Sequence, residues 1–158
     1  MSTNEFQCRT SLRVRWSEVD MQKIVFNGHY LNYIDVAIGD YWRAIGLPYP
    51  QGYVDRYNND LYLRKATVNY LGPARYDDTL EVYTRVARLG RTSMTFHFAI
   101  ACVDTQNATT HDNVTAPTLI EAELVYVNAI PASMQPSPLP EDLRRSEEHT
   151  SELQSHHD

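Results

Sequence analysis

The residues best suited to chemistry are one carboxylate and the start of the only long helix that the sequence predicts. Asp20 lies seven residues before Asn27, where the helical pattern begins. A loop of that length can fold back and bring the carboxylate to the helix N-terminus. The backbone N–H groups of Asn27, Gly28 and His29 have no intrahelical partners there, so they and the helix dipole can hold an oxyanion. An ionised carboxylate beside an oxyanion site is the minimal equipment for hydrolysing an acyl bond. From the residues alone, however, an Asp before a helix is more often a cap or a solvated loop residue.

The helix prediction rests on the spacing of apolar side chains over residues 27–46. They recur at intervals of three or four and therefore form one stripe of a helix: Leu31, Ile34, Ile38, Tyr41 and Ile45. Asn27 is the predicted N-cap and Gly46 the predicted terminator.

The rest of the chain predicts a sheet. Residues 8–17 alternate as a half-buried strand, with Leu12, Val14 and Trp16 on the inner face, and residues 49–59 predict a polar, tyrosine-rich loop. Further strands are predicted over 60–71, 79–89, 92–103 and 118–130, with a polar loop at 104–117. Only one helix is available to cover these strands, so one face of the sheet must wrap it. We therefore predict an α+β fold with a five-stranded, mostly antiparallel sheet around one long central helix.

Composition narrows the function classes. A length of 158 residues favours one domain. The composition, with 42% hydrophobic and 22% charged residues, is typical of a folded protein and not of a disordered chain. Two cysteines cannot build a disulfide scaffold, scattered histidines predict no metal site, and no apolar run predicts a membrane span. With 14 basic and 20 acidic residues the net charge is −6, but the last thirteen residues hold four acids and no base, leaving −2. We expect no nucleic-acid or membrane partner and, with no leader peptide, a cytoplasmic protein.

The C-terminal residues predict two boundaries. Residues 145–155, RSEEHTSELQS, resemble the translation of a common sequencing-adapter oligonucleotide. The resemblance implies that the natural chain continues differently after about Arg144. We therefore expect a folded domain over 1–131, a proline-rich segment and the start of a terminal helix over 132–144, and a non-native tail over 145–158.

Three segments carry a resemblance to a known family. Residues 20–30, DMQKIVFNGHY, resemble the D-x-x-G-[IV]-V-[FY]-x-x-x-Y signature of hotdog-fold thioesterases of the 4-hydroxybenzoyl-CoA thioesterase type. Residues 71–78 resemble the family's Pro-Ala…Tyr…Asp turn, and residues 89–93 resemble its G-R-S-S strand start. The resemblance implies a hotdog fold, hydrolysis of acyl-CoA thioesters and no metal or redox cofactor.

The same resemblance implies roles for the residues around Asp20. Asp20 matches the catalytic carboxylate, acting as nucleophile or as general base for water. Asn27 matches the position whose backbone N–H contributes to the oxyanion site, and Gly28 lies beside it in the substrate-binding region. Lys23 stands where the family commonly has glycine, which allows a positive φ that lysine resists. Either the loop keeps a conventional backbone, or Lys23 alters the site, with its ammonium near the thioester or a substrate carboxylate.

The remaining matches concern substrate binding and assembly. Tyr30 matches the motif tyrosine and is expected to pack or position rather than react. Arg88 and Arg91 are expected to bind the phosphates of coenzyme A, with ordinary solvated charge as the alternative. A single hotdog leaves a sheet edge and part of its helix uncovered, so we expect a homodimer or a dimer of dimers. In the family the cleft lies between subunits, so the resemblance implies that Arg88 or Arg91 serves the neighbour's site. Two rival functions stay open, a thioesterase acting on acyl carrier proteins and a non-catalytic acyl-thioester-binding module; a hydratase is disfavoured.

Overall fold

Six strands and three helices form the part of the chain that the computed structural model describes, namely residue 6, residues 8–103 and residues 116–155. In chain order they are β1 (Cys8–Arg13), α1 (His29–Ala44), α2 (Val54–Tyr57), β2 (Asp60–Tyr70), β3 (Thr79–Leu89), β4 (Ser93–Val103), β5 (Thr118–Ile130), β6 (Gln135–Pro136) and α3 (Glu141–Ser155). A short 3-10 turn, Trp16–Glu18, follows β1. Nearly all of the predicted loop at 104–117 lies outside the described residues.

The strands form one antiparallel sheet in the order β1-β3-β4-β5-β2, with the two-residue β6 paired to the end of β5. The five long strands and the central helix match the predicted α+β hotdog fold, which is confirmed. The sixth strand differs from the prediction, because Gln135 and Pro136 still pair with β5 inside the proline-rich segment.

The concave face of the sheet packs on α1. Alternate side chains of β4 point towards the helix and are buried, and the Phe96 ring meets the Tyr41 ring edge-on at 5.2 Å between centroids. At the edge of the sheet, the Thr10 hydroxyl donates to the Asp40 carboxylate at 2.6 Å. Each large apolar side chain buried in this interface contributes about 1.5–3 kcal/mol, so packing holds α1 in the sheet.

Two segments differ from the predicted pattern. The first strand ends at Arg13, and Trp16 is 76% exposed instead of facing the core. The cause is Glu18, whose carboxylate accepts the Arg15 N–H at 2.7 Å and turns the chain. The predicted polar loop over 49–59 contains α2 and the fully buried Tyr53, so that prediction is also wrong in part.

The helix limits also need correction. Helix α1 begins at His29 rather than Asn27, and its N-cap is Gly28, which makes no side-chain cap bond. Gly46 has φ +80, as its predicted role as terminator requires. At the other end of the chain, α3 continues through residue 145, and the Glu147 carboxylate accepts a hydrogen bond from the buried Tyr41 hydroxyl. The predicted domain boundaries and the non-native origin of the tail stay predictions.

Candidate functional site

Asp20 belongs to a narrow hairpin over residues 18–26. The Phe26 N–H donates to the Glu18 carbonyl and the Asp20 N–H donates to the Ile24 carbonyl, both at 3.0 Å. These two bonds run the hairpin directly into the start of α1. The position of Asp20 relative to the helix is therefore set by backbone bonds and not by a free loop.

The tip of the hairpin is a tight turn that holds the Asp20 side chain. The Lys23 N–H donates to the Asp20 carbonyl at 2.9 Å, and the Gln22 N–H donates to Asp20 Oδ1 at 2.7 Å. The side chain is half-buried. One carboxylate oxygen is thus fixed by the turn, while Oδ2 has no hydrogen-bond partner among the described residues.

Glu18 anchors the base of the hairpin. Its carboxylate is buried and accepts the Arg15 N–H at 2.7 Å, the Arg15 guanidinium at 3.0 Å and the Tyr33 hydroxyl at 3.0 Å. Burial by itself would raise the pKa of Glu18, but these hydrogen bonds outweigh it and hold the pKa below its usual range. Burial, followed by the neighbouring Glu18 carboxylate, raises the pKa of Tyr33, so its hydroxyl stays a donor. Sequence reasoning missed this anchor, because a Glu beside a strand end is usually solvated.

The start of α1 supplies two free donors. Within the described parts of the chain, neither the Asn27 nor the Gly28 N–H has an acceptor. The His29 N–H, expected to be free as well, donates to the Phe26 carbonyl at 3.0 Å, so it is not available to an oxyanion. The Tyr70 hydroxyl donates to the Asn27 carbonyl at 3.1 Å and ties this turn to the end of β2.

The hairpin limits the distance between the carboxylate and these donors. Asn27 lies three residues beyond Ile24, the hairpin partner of Asp20, which is on the order of 10 Å of extended backbone. A reacting carbonyl needs its carbon about 3–3.5 Å from the nucleophile. Its oxygen needs donors about 2.7–3.1 Å away.

Asp20 lines an open cleft of about 880 Å³ whose walls are Trp16, Val19, Asp20, Met21, Lys23, Arg75 and Tyr76. The exposed rings of Trp16 and Tyr76 meet edge-on at 5.2 Å. The cleft combines a carboxylate, two cations and an aromatic wall. Of these residues, the sequence predicted chemistry only for Asp20 and, as one alternative, for Lys23. The predicted oxyanion donors Asn27 and Gly28 are not among the lining residues.

The backbone of Lys23 settles one of the open alternatives. Its φ is +66, the left-handed conformation that glycine adopts readily. The suggestion of a conventional backbone is therefore wrong, and lysine tolerates this conformation at a cost of about 1 kcal/mol. Its side chain is exposed at the cleft.

Tyr30 is buried, and its hydroxyl accepts the Ala74 N–H at 3.1 Å. Burial raises the pKa of Tyr30, so the hydroxyl stays neutral. This contact joins α1 to the loop that carries Arg75, so Tyr30 is suited to a positioning role. The buried Tyr30 side chain offers little surface to a substrate.

Arg88 and Arg91 are exposed and lie far from Asp20 within one protomer. The hairpin is bound to the loop before β3 by the Val25 N–H, which donates to the Ala74 carbonyl at 2.8 Å. Arg88 lies nine residues beyond Thr79, about 30 Å along the strand. The two arginines are therefore not brought together with Asp20 of the same protomer.

A second, apolar pocket of about 270 Å³ lies beside α1 and is lined by Asp35, Ile38, Gly39, Trp42, Tyr49, Leu61, Phe96 and Tyr126. Burial raises the pKa of Asp35.

Over the described ranges, no three His, Cys, Asp or Glu side chains are grouped as a metal site would require. No helix in those ranges has the length and apolarity needed to cross a membrane.

Comparison with known proteins gives the family. The family model described as Thioesterase superfamily matches residues 22–109, more than half of the chain, beginning two residues after Asp20. The Escherichia coli acyl-CoA thioester hydrolase YbgC is 29% identical over 143 residues, which cover 90% of this chain and 96% of YbgC.

Solved structures share the fold. A DHNA-CoA thioesterase from Staphylococcus aureus superimposes with a TM-score of 0.77 at 16% identity, covering 96% of this chain and 95% of that one. A 4-hydroxybenzoyl-CoA thioesterase variant complexed with 4-hydroxybenzoyl-CoA gives 0.77 at 17% identity, covering 88% and 96%. Because the family match covers most of the fold, from the hairpin through β4, this chain belongs to the thioesterase superfamily.

Proposed function

We propose that this thioesterase hydrolyses acyl-CoA thioesters to a free acid and coenzyme A, with Asp20 acting on the thioester carbonyl. The observation that carries the proposal is the hairpin, whose backbone bonds lead from the Asp20 carboxylate directly to the start of α1, where the N–H groups of Asn27 and Gly28 have no acceptor among the described residues. The name of the relative YbgC, an acyl-CoA thioester hydrolase, supports the substrate class.

Two chemical routes fit this geometry. As a nucleophile, the Asp20 carboxylate adds to the carbonyl carbon, the thiolate of coenzyme A leaves, and water hydrolyses the resulting anhydride. As a general base, Asp20 takes a proton from a water that adds to the carbonyl, and the thiolate leaves from the tetrahedral intermediate. Both routes need an ionised Asp20, and in both the oxyanion is stabilised by the donors at the start of α1.

The conformation of Lys23 favours catalysis over a non-catalytic binding module. A lysine at the glycine position raised the possibility that the loop had lost its catalytic shape. With φ +66, the loop keeps the conformation that glycine would adopt there. Among the described residues, the Oδ2 of Asp20 and the N–H groups of Asn27 and Gly28 have no hydrogen-bond partner, which also fits an active site.

We further propose a homodimer built on β2. This eleven-residue strand lies at the edge of the sheet, and Leu63, Tyr70 and the adjoining Leu71 are each at least half exposed. Antiparallel pairing of β2 with its copy would cover this edge and these side chains. Arg88 and Arg91 would then act at a neighbouring protomer's site. We also propose that the protein works in the cytoplasm, the compartment that supplies free acyl-CoA.

The test is a thiol-release assay over short, long and aromatic acyl-CoAs with the Asp20→Asn variant alongside. Asparagine keeps the acceptor for the Gln22 N–H, so the turn is preserved while the charge is lost. We expect kcat/KM to fall by about 10²–10⁴. The matched control is Asp55→Asn, an exposed acid on α2, which should retain wild-type activity. Full activity in Asp20→Asn would refute the site, and activity confined to acyl carrier substrates would refute the substrate class.

A further inference from the structure

Two cations share the cleft with Asp20. Lys23 closes the same turn, so its Cα lies within about 7 Å of that of Asp20. Arg75 lines the same cleft and follows Ala74, whose carbonyl accepts the Val25 N–H and fixes this loop to the hairpin. Both residues therefore line the same cleft as Asp20.

Neither cation is paired with another side chain that the structure describes. Within the described ranges, no ion pair or hydrogen bond involves the side chain of Lys23 or Arg75, whereas Arg13 pairs with Asp77 at 3.1 Å and Arg56 with Asp142 at 3.2 Å. Asp20 also forms no ion pair in those ranges, so Lys23 does not neutralise the carboxylate. Among the side chains that line the cleft, two cations therefore stand beside one carboxylate; Asp78, close by, accepts the Arg75 backbone N–H at 2.8 Å and forms no ion pair with the Arg75 guanidinium.

An excess cation beside a catalytic carboxylate has a specific chemical use. Asp20 repels a negatively charged acyl group, and a neutral acyl group needs only the apolar wall of Trp16 and Tyr76. An anionic acyl group needs cations to offset Asp20 and to bind its own charge. The phosphates of coenzyme A fit less well, because the whole pantetheine arm separates them from the thioester.

We infer that the cleft selects acyl groups with a carboxylate at their far end, that is, monothioesters of dicarboxylic acids, bound through Lys23 and Arg75. This inference rests on the proposed function of Asp20. The reaction consumes one water and yields the dicarboxylic acid and coenzyme A. Lys23 and Arg75 are specificity residues in this scheme, while Asp20 reacts.

The test compares glutaryl-CoA with its ω-methyl ester, which has the same chain without the charge. We expect kcat/KM to favour glutaryl-CoA about tenfold, the effect of one charge-assisted hydrogen bond, and to do so less at high salt. Lys23→Gln and Arg75→Gln should each lower this ratio several-fold, and Lys23→Arg should retain it. Arg56→Gln, which removes a remote exposed cation, is the control and should leave the ratio unchanged.

Each further result decides the inference. The same pair as pantetheine thioesters must keep the charge preference; if Lys23→Gln instead weakens all CoA thioesters equally and no pantetheine thioester, the cations bind phosphate and the inference is wrong. A wild-type kcat/KM ratio of glutaryl-CoA to its ω-methyl ester near one also overturns the inference. Lysine and arginine side chains that are merely solvated would give that ratio. If Asp20→Asn still abolishes turnover in that case, the proposed function stands. Full activity of Asp20→Asn refutes the proposed function whatever the ratio.

Discussion

Replacing Glu18 with alanine tests whether the hairpin is held by its buried carboxylate. The change leaves two donors without an acceptor, the Arg15 N–H and the hydroxyl of the buried Tyr33. Each unsatisfied buried donor costs about 1–3 kcal/mol, so we expect a loss of about 2–4 kcal/mol in the free energy of unfolding. The Arg15 guanidinium is largely exposed, so the loss of its ion pair with Glu18 is not counted in this free energy. For a chain of this size, Tm should fall by roughly 5–15 °C.

The assay is thermal unfolding followed by circular dichroism, with Glu141→Ala as a control for loss of an exposed glutamate. A Tm within about a degree of wild type would refute the anchoring role. The folded state lowers the pKa of Glu18 below its ordinary 4.5. Its stabilisation is therefore fully present above that value and is lost as pH falls through the folded pKa. The Tm difference between wild type and Glu18→Gln should shrink on acidification.

Two further outcomes are expected. Asn128→Ala removes a buried side-chain amide that accepts the Tyr53 hydroxyl at 2.7 Å and donates to the Ser137 and Pro138 carbonyls, each at 3.1 Å. The free energy of unfolding, measured by chemical denaturation, should fall by about 2–4 kcal/mol. A loss below about 1 kcal/mol would contradict this. Leu63→Glu adds charge to the exposed edge β2 and should convert a dimer into a monomer in sedimentation, whereas a monomeric wild type would rule out the β2 interface.

The sequence predicts the fold well wherever periodicity is long and regular. The limits of β3 are reproduced to the residue, and those of β2 and β4 to within one, because alternation over eleven residues admits one register against a core. The failures occur where one polar side chain overrides the pattern. Trp16 continues the alternation of β1, yet the buried Glu18 turns the chain before the ring can reach the core. Tyr53 stands in a polar segment, but its ring is buried against Trp42 and its hydroxyl is satisfied by Asn128.

The site is predictable in its reacting group and not in its surroundings. Asp20 follows from its distance to the helix and from the motif, since both depend on local sequence. Arg75 and Tyr76 enter the cleft only because backbone bonds join residues 18–26 to the loop before β3, a contact between segments about fifty residues apart. Lys23 could not be resolved from sequence, because tolerance of a positive φ depends on the turn that encloses it.

The most direct measurement is a crystal structure with an acyl-CoA analogue in which a methylene group replaces the thioester sulfur, so that the carbonyl is kept but not cleaved. The account predicts its carbonyl oxygen about 2.7–3.1 Å from the N–H of Asn27 or Gly28. The carbonyl carbon should lie about 3–3.5 Å from Asp20 Oδ2, or be joined to it through one water. A carbonyl bound away from both groups, in every protomer and across every contact between protomers, would contradict it.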